Sequence, residues 1–198
     1  MDDVEENCFW QDEDKDERRI FFGKIRYLRT CTICNTETST SASFFDISVS
    51  IANSQTVAHA VAEYFSDEQV EKMCSDCKKD TSTAVKKSLE SIPENIIIQL
   101  QRFNAKGQKV TKKVDVHLNL FFRDFIAQDT ESDIILDKAA LFGVIVHRGK
   151  TLNGGHYYAF VQFAEKWYRV DDTHIEESSI YHMKRCEGEP YLLFYRRK

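Results

Sequence analysis

An α+β fold dominated by antiparallel strands is what this sequence predicts, on three observations. From residue 20 onward most apolar stretches have strand length and either alternate or run continuously. Gly, Asn and Asp clusters separate most of them. Only one segment carries helical periodicity, which is little helix for 198 residues. That length suits one compact body, with or without a projecting subdomain, and suffices to bury a core.

The opening stretch, "MDDVEENCFWQDEDKDERR", is charge-dense and lacks sustained periodicity, which predicts a mobile or loosely docked acidic segment over residues 1–19. "RRIFFGKIRYLRTC" alternates as a strand running into Cys31, and "SASFFDISVSI" forms a second strand candidate. In "SQTVAHAVAEYF", Val57, Ala60, Val61 and Tyr64 fall at i, i+3, i+4 and i+7, one face of an amphipathic helix with Ser54 as its predicted N-cap. "TSTAVKKSLESI" alternates loosely up to Pro93. Six further strands are expected in "NIIIQLQRF", "KKVDVHLNL", "LFGVIVHRG", "HYYAFVQF", "KWYRVDD" and "YLLFYRR". The continuous runs "NIIIQL" and "LFGVIV" suit central strands covered on both faces.

Charge narrows the function classes. The 27 basic against 32 acidic residues leave a formal charge of −5, which argues against nucleic acid as a partner. The longest apolar runs are too short to span a bilayer, so no membrane role is expected. Met1 is followed by two aspartates, so no basic n-region of a signal peptide is expected. The compartment expected is cytoplasm or nucleus, where thiols stay reduced.

Of six cysteines, four form two pairs, Cys31-x-x-Cys34 and Cys74-x-x-Cys77, and two, Cys8 and Cys186, stand alone. In a reducing compartment such pairs are metal ligands more often than disulfides. Each knuckle places two sulfurs on one tight turn, so two knuckles supply four thiolates to a tetrahedral Zn²⁺. A closed Cys₄ site has no position for substrate, so the expected zinc is structural. The long spacer, residues 35–73, implies a helix and strands between the two halves of the clip.

The stretch "HYYAFVQFAEKWYRVDD" reads as a hairpin turning at Ala164-Glu165. Side chains alternate faces along paired strands, so loop length decides which aspartate shares a face with His156. A two-residue loop sets Phe163 opposite Lys166, and His156 then faces Thr173 with Asp171 one diagonal step away. A three-residue loop selects Asp172 instead. Diagonal neighbours lie about 7–8 Å apart at the backbone, a gap two side chains can bridge. A carboxylate on one ring nitrogen fixes the imidazole tautomer and makes the other nitrogen a general base, which then needs a Ser or Cys nucleophile.

Taken together, these residues resemble the ubiquitin-specific protease family, the papain-like deubiquitinases. "GGHYYAFV…KWYRVDD" is similar to that family's histidine box, "YLLFYRR" to its closing strand, and "PENIIIQLQRF" to the strand leading to a Leu-x-Arg-Phe. The four cysteines, including "CSDCKK", resemble its zinc-bearing fingers. The resemblance runs from about Phe21 to Arg197, with the motifs in the family's order. It implies a papain-like cysteine proteinase palm with β-fingers: fingers and one helix over about 20–91, palm over about 92–198. It also implies His156 as general base, Asp171 as orienting acid and Asp172 as a supporting acid. Gly154, Gly155 and Tyr157 would lie along the channel for the Gly-Gly tail of ubiquitin, and Cys31, Cys34, Cys74 and Cys77 would bind the fingers zinc.

One part of the family pattern is missing. The cysteine box, which holds the nucleophile and an oxyanion donor, precedes the fingers across a helical thumb, and here fewer than twenty residues precede them. Cys8, in "ENCFW", follows an asparagine, but its acidic surroundings raise a thiol pKa where reactivity needs it lowered, and no helix pattern follows. Cys186 reads as a surface or packing cysteine. The expected function is therefore deubiquitination, with the thumb and nucleophile supplied by an upstream segment or a separate chain. Two alternatives stand beside it: a catalytically inactive ubiquitin-binding module, and a zinc-ribbon interaction protein.

Overall fold

The computed structural model describes residues 20–104, 107–127, 138–151 and 154–198. The acidic segment 1–19 with Cys8, and Leu152-Asn153 before the glycine pair, lie outside the described residues. Two sheets carry the fold.

The smaller sheet holds β1 (Gly23–Cys31), β2 (Glu37–Phe44), β4 (Glu68–Met73) and β5 (Asp80–Ser91), in the order β2-β1-β5-β4 and antiparallel throughout. The larger sheet holds β3 (Asp46–Ser50), β6 (Asn95–Gln101), β7 (Asn119–Leu120), β8 (Ala139–Thr151), β9 (Gly154–Phe163), β10 (Lys166–Asp171), β11 (His174–Ser178) and β12 (Glu189–Arg197). Its order is β11-β10-β9-β8-β12-β6-β3, with β7 pairing β8, and only the β3–β6 pair is parallel. The α-helices that lie wholly within the described residues are α1 (Val57–Phe65) and α2 (Ile180–Arg185). None is long and apolar enough to cross a membrane.

The continuous apolar runs are buried as expected. In β6, Ile96, Ile98 and Leu100 are buried on one face and Ile97 on the other; in β8, Leu141, Val144 and Val146 join the same core. Ile25, Phe44 and Leu89 carry that core into the smaller sheet, so the two sheets meet over shared apolar side chains.

Four expectations change on contact with the structure. "SASFFDISVSI" is not one strand: Phe44 ends β2 in the smaller sheet, and β3 begins at Asp46 in the larger one. Phe44 is buried, whereas Phe45 stays exposed against the rings of Phe21 and Phe22, so the chain crosses between sheets there. "KKVDVHLNL" pairs only at Asn119–Leu120 and through a bridge at Asp115; Val114 and Val116 alternate because they are buried, not because they sit in a ladder. The helix starts one residue after Thr56, whose hydroxyl accepts from His59 N at 3.1 Å, while Ser54 is buried and donates to the Glu63 carboxylate. Finally, the expected division put 46–65 with the fingers, yet β3 hydrogen-bonds to β6 of the larger sheet and α1 packs on β3.

Strands β4 and β11 had no sequence signal, and β2 had one only over its last four residues. All three lie at sheet edges with mostly exposed side chains, so main-chain pairing holds them without an apolar pattern. Helix α2, at six residues, is too short for periodicity to register.

Candidate active site and metal centre

The β9–β10 hairpin turns on Ala164 and Glu165, with φ of 45° and 65°. Two consecutive left-handed residues make the type I′ turn that matches strand twist. Phe163 pairs with Lys166, and the register continues through Ala159 opposite Val170. Loop parity therefore places His156 and Asp171 on one face, and His156 Nε2 donates a hydrogen bond to Asp171 Oδ1.

Asp171 is held on its other oxygen as well. Arg169 donates to Asp171 Oδ2 at 2.6 Å and to Glu176 at 3.1 Å, with its guanidinium 4.8 Å from the Tyr158 ring centre. The hydrogen bond from His156 holds the Asp171 carboxyl below the usual carboxylate range. Partial burial opposes this, and the charges of His156, Arg169 and Arg148 add to it. His156 is about one-third exposed (34%), and its Nδ1 makes no hydrogen bond among the described residues. With Nε2–H committed to Asp171, Nδ1 carries the free lone pair and is the basic atom. Asp172 follows at φ 52° in the β10–β11 turn, exposed, with a carboxylate oxygen within 4.8 Å of the His156 and Asp171 ligand atoms.

The two glycines before His156 differ. A Cβ on Gly155 would lie 2.2 Å from His147 Nε2 and 2.7 Å from the Arg148 carbonyl oxygen, whereas one on Gly154 meets only Thr151 Oγ1 at 3.2 Å. His147 is buried under Tyr157, ring centres 4.6 Å apart, and Tyr157 itself is half exposed beside the glycine pair. Neither His147 nor Arg169 belongs to a motif that marks it as part of the site. Arg169 sits two residues before Asp171 and so shares its face, a parity signal that was present; His147 carried none.

At the far end of the smaller sheet, Cys31, Cys34, Cys74 and Cys77 converge with all four sulfurs within 4.8 Å of one another. The two knuckles repeat one geometry. Asn35 N donates to Cys31 O at 2.9 Å and Lys78 N to Cys74 O at 3.0 Å, and both Asn35 and Lys78 adopt left-handed φ, 57° and 55°. Backbone N–H groups of Cys34 and Ile33 lower the Cys31 thiol to about 6, and the Thr36 hydroxyl and N–H lower Cys34; burial pushes Cys77 up to about 11. The Cys34–Cys74 sulfur separation is 3.7 Å. A tetrahedron with Zn–S near 2.3 Å has edges of about 3.8 Å, so the donor set fits zinc.

No cysteine joins the His156 cluster among the described residues. Cys186 lies by the Tyr158 hydroxyl, whose pKa is raised by burial first and by Cys186 second.

A palm sheet carrying a His–Asp hairpin, with a four-cysteine finger beside it, defines a papain-like fold. The sequence model of the ubiquitin carboxyl-terminal hydrolase family matches residues 1–195, and the chain belongs to that family. It is 30% identical over 181 residues to ubiquitin carboxyl-terminal hydrolase 36 of Drosophila virilis, covering 89% of this chain and 15% of that protein. It is 28% identical over 182 residues to ubiquitin carboxyl-terminal hydrolase 17-like protein D of Mus musculus, covering 89% and 32%. The chain thus spans less than a third of these relatives. The same fold recurs in the SAGA DUB module of Ubp8, Sgf11, Sus1 and Sgf73 bound to monoubiquitin, with TM-score 0.79, 22% identity, and coverage of 91% of this chain and 41% of that one. The module bound to ubiquitin aldehyde gives TM-score 0.78 and 21% identity, covering 91% and 42%.

Proposed function

We propose that this chain is the histidine-bearing, fingers-and-palm part of a deubiquitinase that hydrolyses the isopeptide bond after the C-terminal glycine of ubiquitin. The His156–Asp171 pair carries this reading, because it leaves a basic Nδ1 open on a partly exposed side chain. A thiol brought to Nδ1 gives up its proton there, and the thiolate attacks the scissile carbonyl. The imidazolium, stabilised by Asp171, then returns the proton to the leaving amine. Asp172 supports the pair from outside. Gly154, Gly155 and Tyr157 line the approach of the substrate's glycine tail. Bound at the four cysteines, zinc would tie the β1–β2 turn to the β4–β5 turn and play no part in the chemistry. The nucleophile comes from outside the described residues, in an upstream segment or a second chain. A thiol nucleophile and a thiolate-held zinc both suit a reducing compartment, so the cytoplasm or nucleus is the setting we propose for this chemistry.

A second reading, an inactive ubiquitin-binding module, draws on one observation: no cysteine lies in the His156 cluster among the described residues. The full chain is tested by calorimetric titration with ubiquitin and by release of a fluorophore from the ubiquitin C-terminus. Binding without turnover is expected, with turnover appearing when a thumb-bearing chain is added and disappearing in His156→Ala. Binding with no turnover under any complementation supports the module reading. Turnover by the chain alone that Cys8→Ser abolishes moves the nucleophile to Cys8. A folded chain that does not bind ubiquitin sinks both readings.

A further inference from the structure

Lys109 is an uncommon lysine. Its side chain is 1% exposed, and all three ammonium donors are committed: to the His147 carbonyl at 2.9 Å, the Gly149 carbonyl at 2.8 Å and the Glu189 carboxylate at 2.5 Å. A buried ammonium is costly unless fully paired, and this one is. What it holds is a weak point of the sheet. The β8–β9 ladder shifts register between Arg148 and Thr151, and the β8–β12 ladder shifts between Pro190 and Leu192. Irregular ladders leave carbonyls in need of other donors.

The two tethered carbonyls flank Arg148, and Arg148 is the residue paired with His156 across β8 and β9. His147, on one side of it, presses its ring on Gly155. Lys109 bridges to Phe103, and its neighbour Gln108 bridges to Thr151 at the far end of the same bulge. Arg102, also buried, secures the other flank by donating to the carbonyls of Pro190 at 3.0 Å and Val110 at 3.2 Å.

From these contacts we propose that Lys109 is a positioning residue for the glycine pair and His156, acting through the backbone on both sides of Arg148. The assignment rests on the deubiquitinase reading and deepens it. Losing Lys109 frees two carbonyls and an unpaired carboxylate, and the β8–β9 bulge then relaxes away from the geometry that receives the glycine tail.

The test compares the affinity of the full chain for ubiquitin and for ubiquitin lacking its two terminal glycines. The wild-type chain is expected to prefer the intact form. Lys109→Met should erase about tenfold of that preference, the scale of one lost buried charge-assisted hydrogen bond, and leave binding of the truncated form unchanged. An unchanged preference in Lys109→Met, or an equal fall for both forms, overturns the assignment. Should Lys109→Met fail to fold, Lys109→Arg carries the test: it keeps the charge opposite Glu189 but cannot occupy the ammonium's place, and a preference as large as wild type overturns the assignment. A wild-type chain that binds both forms equally overturns it while sparing the ubiquitin reading; one that binds neither refutes that reading and this one with it.

Discussion

Gly154 and Gly155 stand side by side, yet alanine should act on them with opposite sign. Neither has a positive φ, so backbone strain does not separate them. Space does. At Gly155 the new methyl lies 2.2 Å from His147 Nε2, 3.0 Å from His147 Cε1 and 2.7 Å from the Arg148 carbonyl oxygen. The imidazole has nowhere to go: it is buried, with Tyr157 at 4.6 Å and Phe103 at 5.9 Å between ring centres. Overpacking of this kind costs about 1–3 kcal/mol, against a gain of about 0.4–1 kcal/mol from stiffening the unfolded chain. Gly155→Ala should therefore lose on the order of 1–2 kcal/mol. Gly154→Ala meets only Thr151 Oγ1 at 3.2 Å, a hydroxyl that can rotate, and should be neutral or gain up to about 1 kcal/mol. Urea denaturation of the two variants beside wild type measures both. Equal midpoints for the two alanines would refute the claim that His147 shapes this loop.

Other outcomes follow from the same geometry. Asp171 has a folded-state pKa below its unfolded value, so its contribution to stability is present above the unfolded pKa and fades as pH falls through the folded one. Asp171→Asn should thus be less stable than wild type at neutral pH, with the gap closing below about pH 4, as acid denaturation curves will show. Elemental analysis should find one zinc per chain, lost in Cys34→Ser; chelation should raise hydrogen exchange at the knuckle ends of β1 and β4–β5 while β6 and β8 stay protected. Ala164→Asn with Glu165→Gly places favoured residues at the two left-handed turn positions and should raise stability by about 1 kcal/mol in thermal melts.

Much of the site was legible before any coordinates. Loop parity tied a two-residue loop to Asp171 and a three-residue loop to Asp172, because side-chain alternation is strictly periodic; the structure has the two-residue loop and so Asp171. Two C-x-x-C pairs announced two knuckles, since each turn is local and its geometry follows from spacing; that their sulfurs converge is a tertiary contact the structure supplies. Edge strands β4, β11 and most of β2 were not legible, because they bury almost nothing. Val114 and Val116 misled for the converse reason: they bury like a strand without pairing like one.

Local chemistry, then, determined the buried strands, the two alternatives for the hairpin register, the two cysteine knuckles and the resemblance that named the family. The tertiary structure alone decided that β3 crosses into the palm sheet, that Nδ1 of His156 is the open nitrogen, and that Gly155 yields to His147. It alone brought Lys109 and Glu189, 80 residues apart in the numbering, into one ion pair, with the lysine side chain buried beneath the β8–β9 bulge. Contacts of that kind depend on where distant strands come to rest, and no period or spacing in a sequence encodes them.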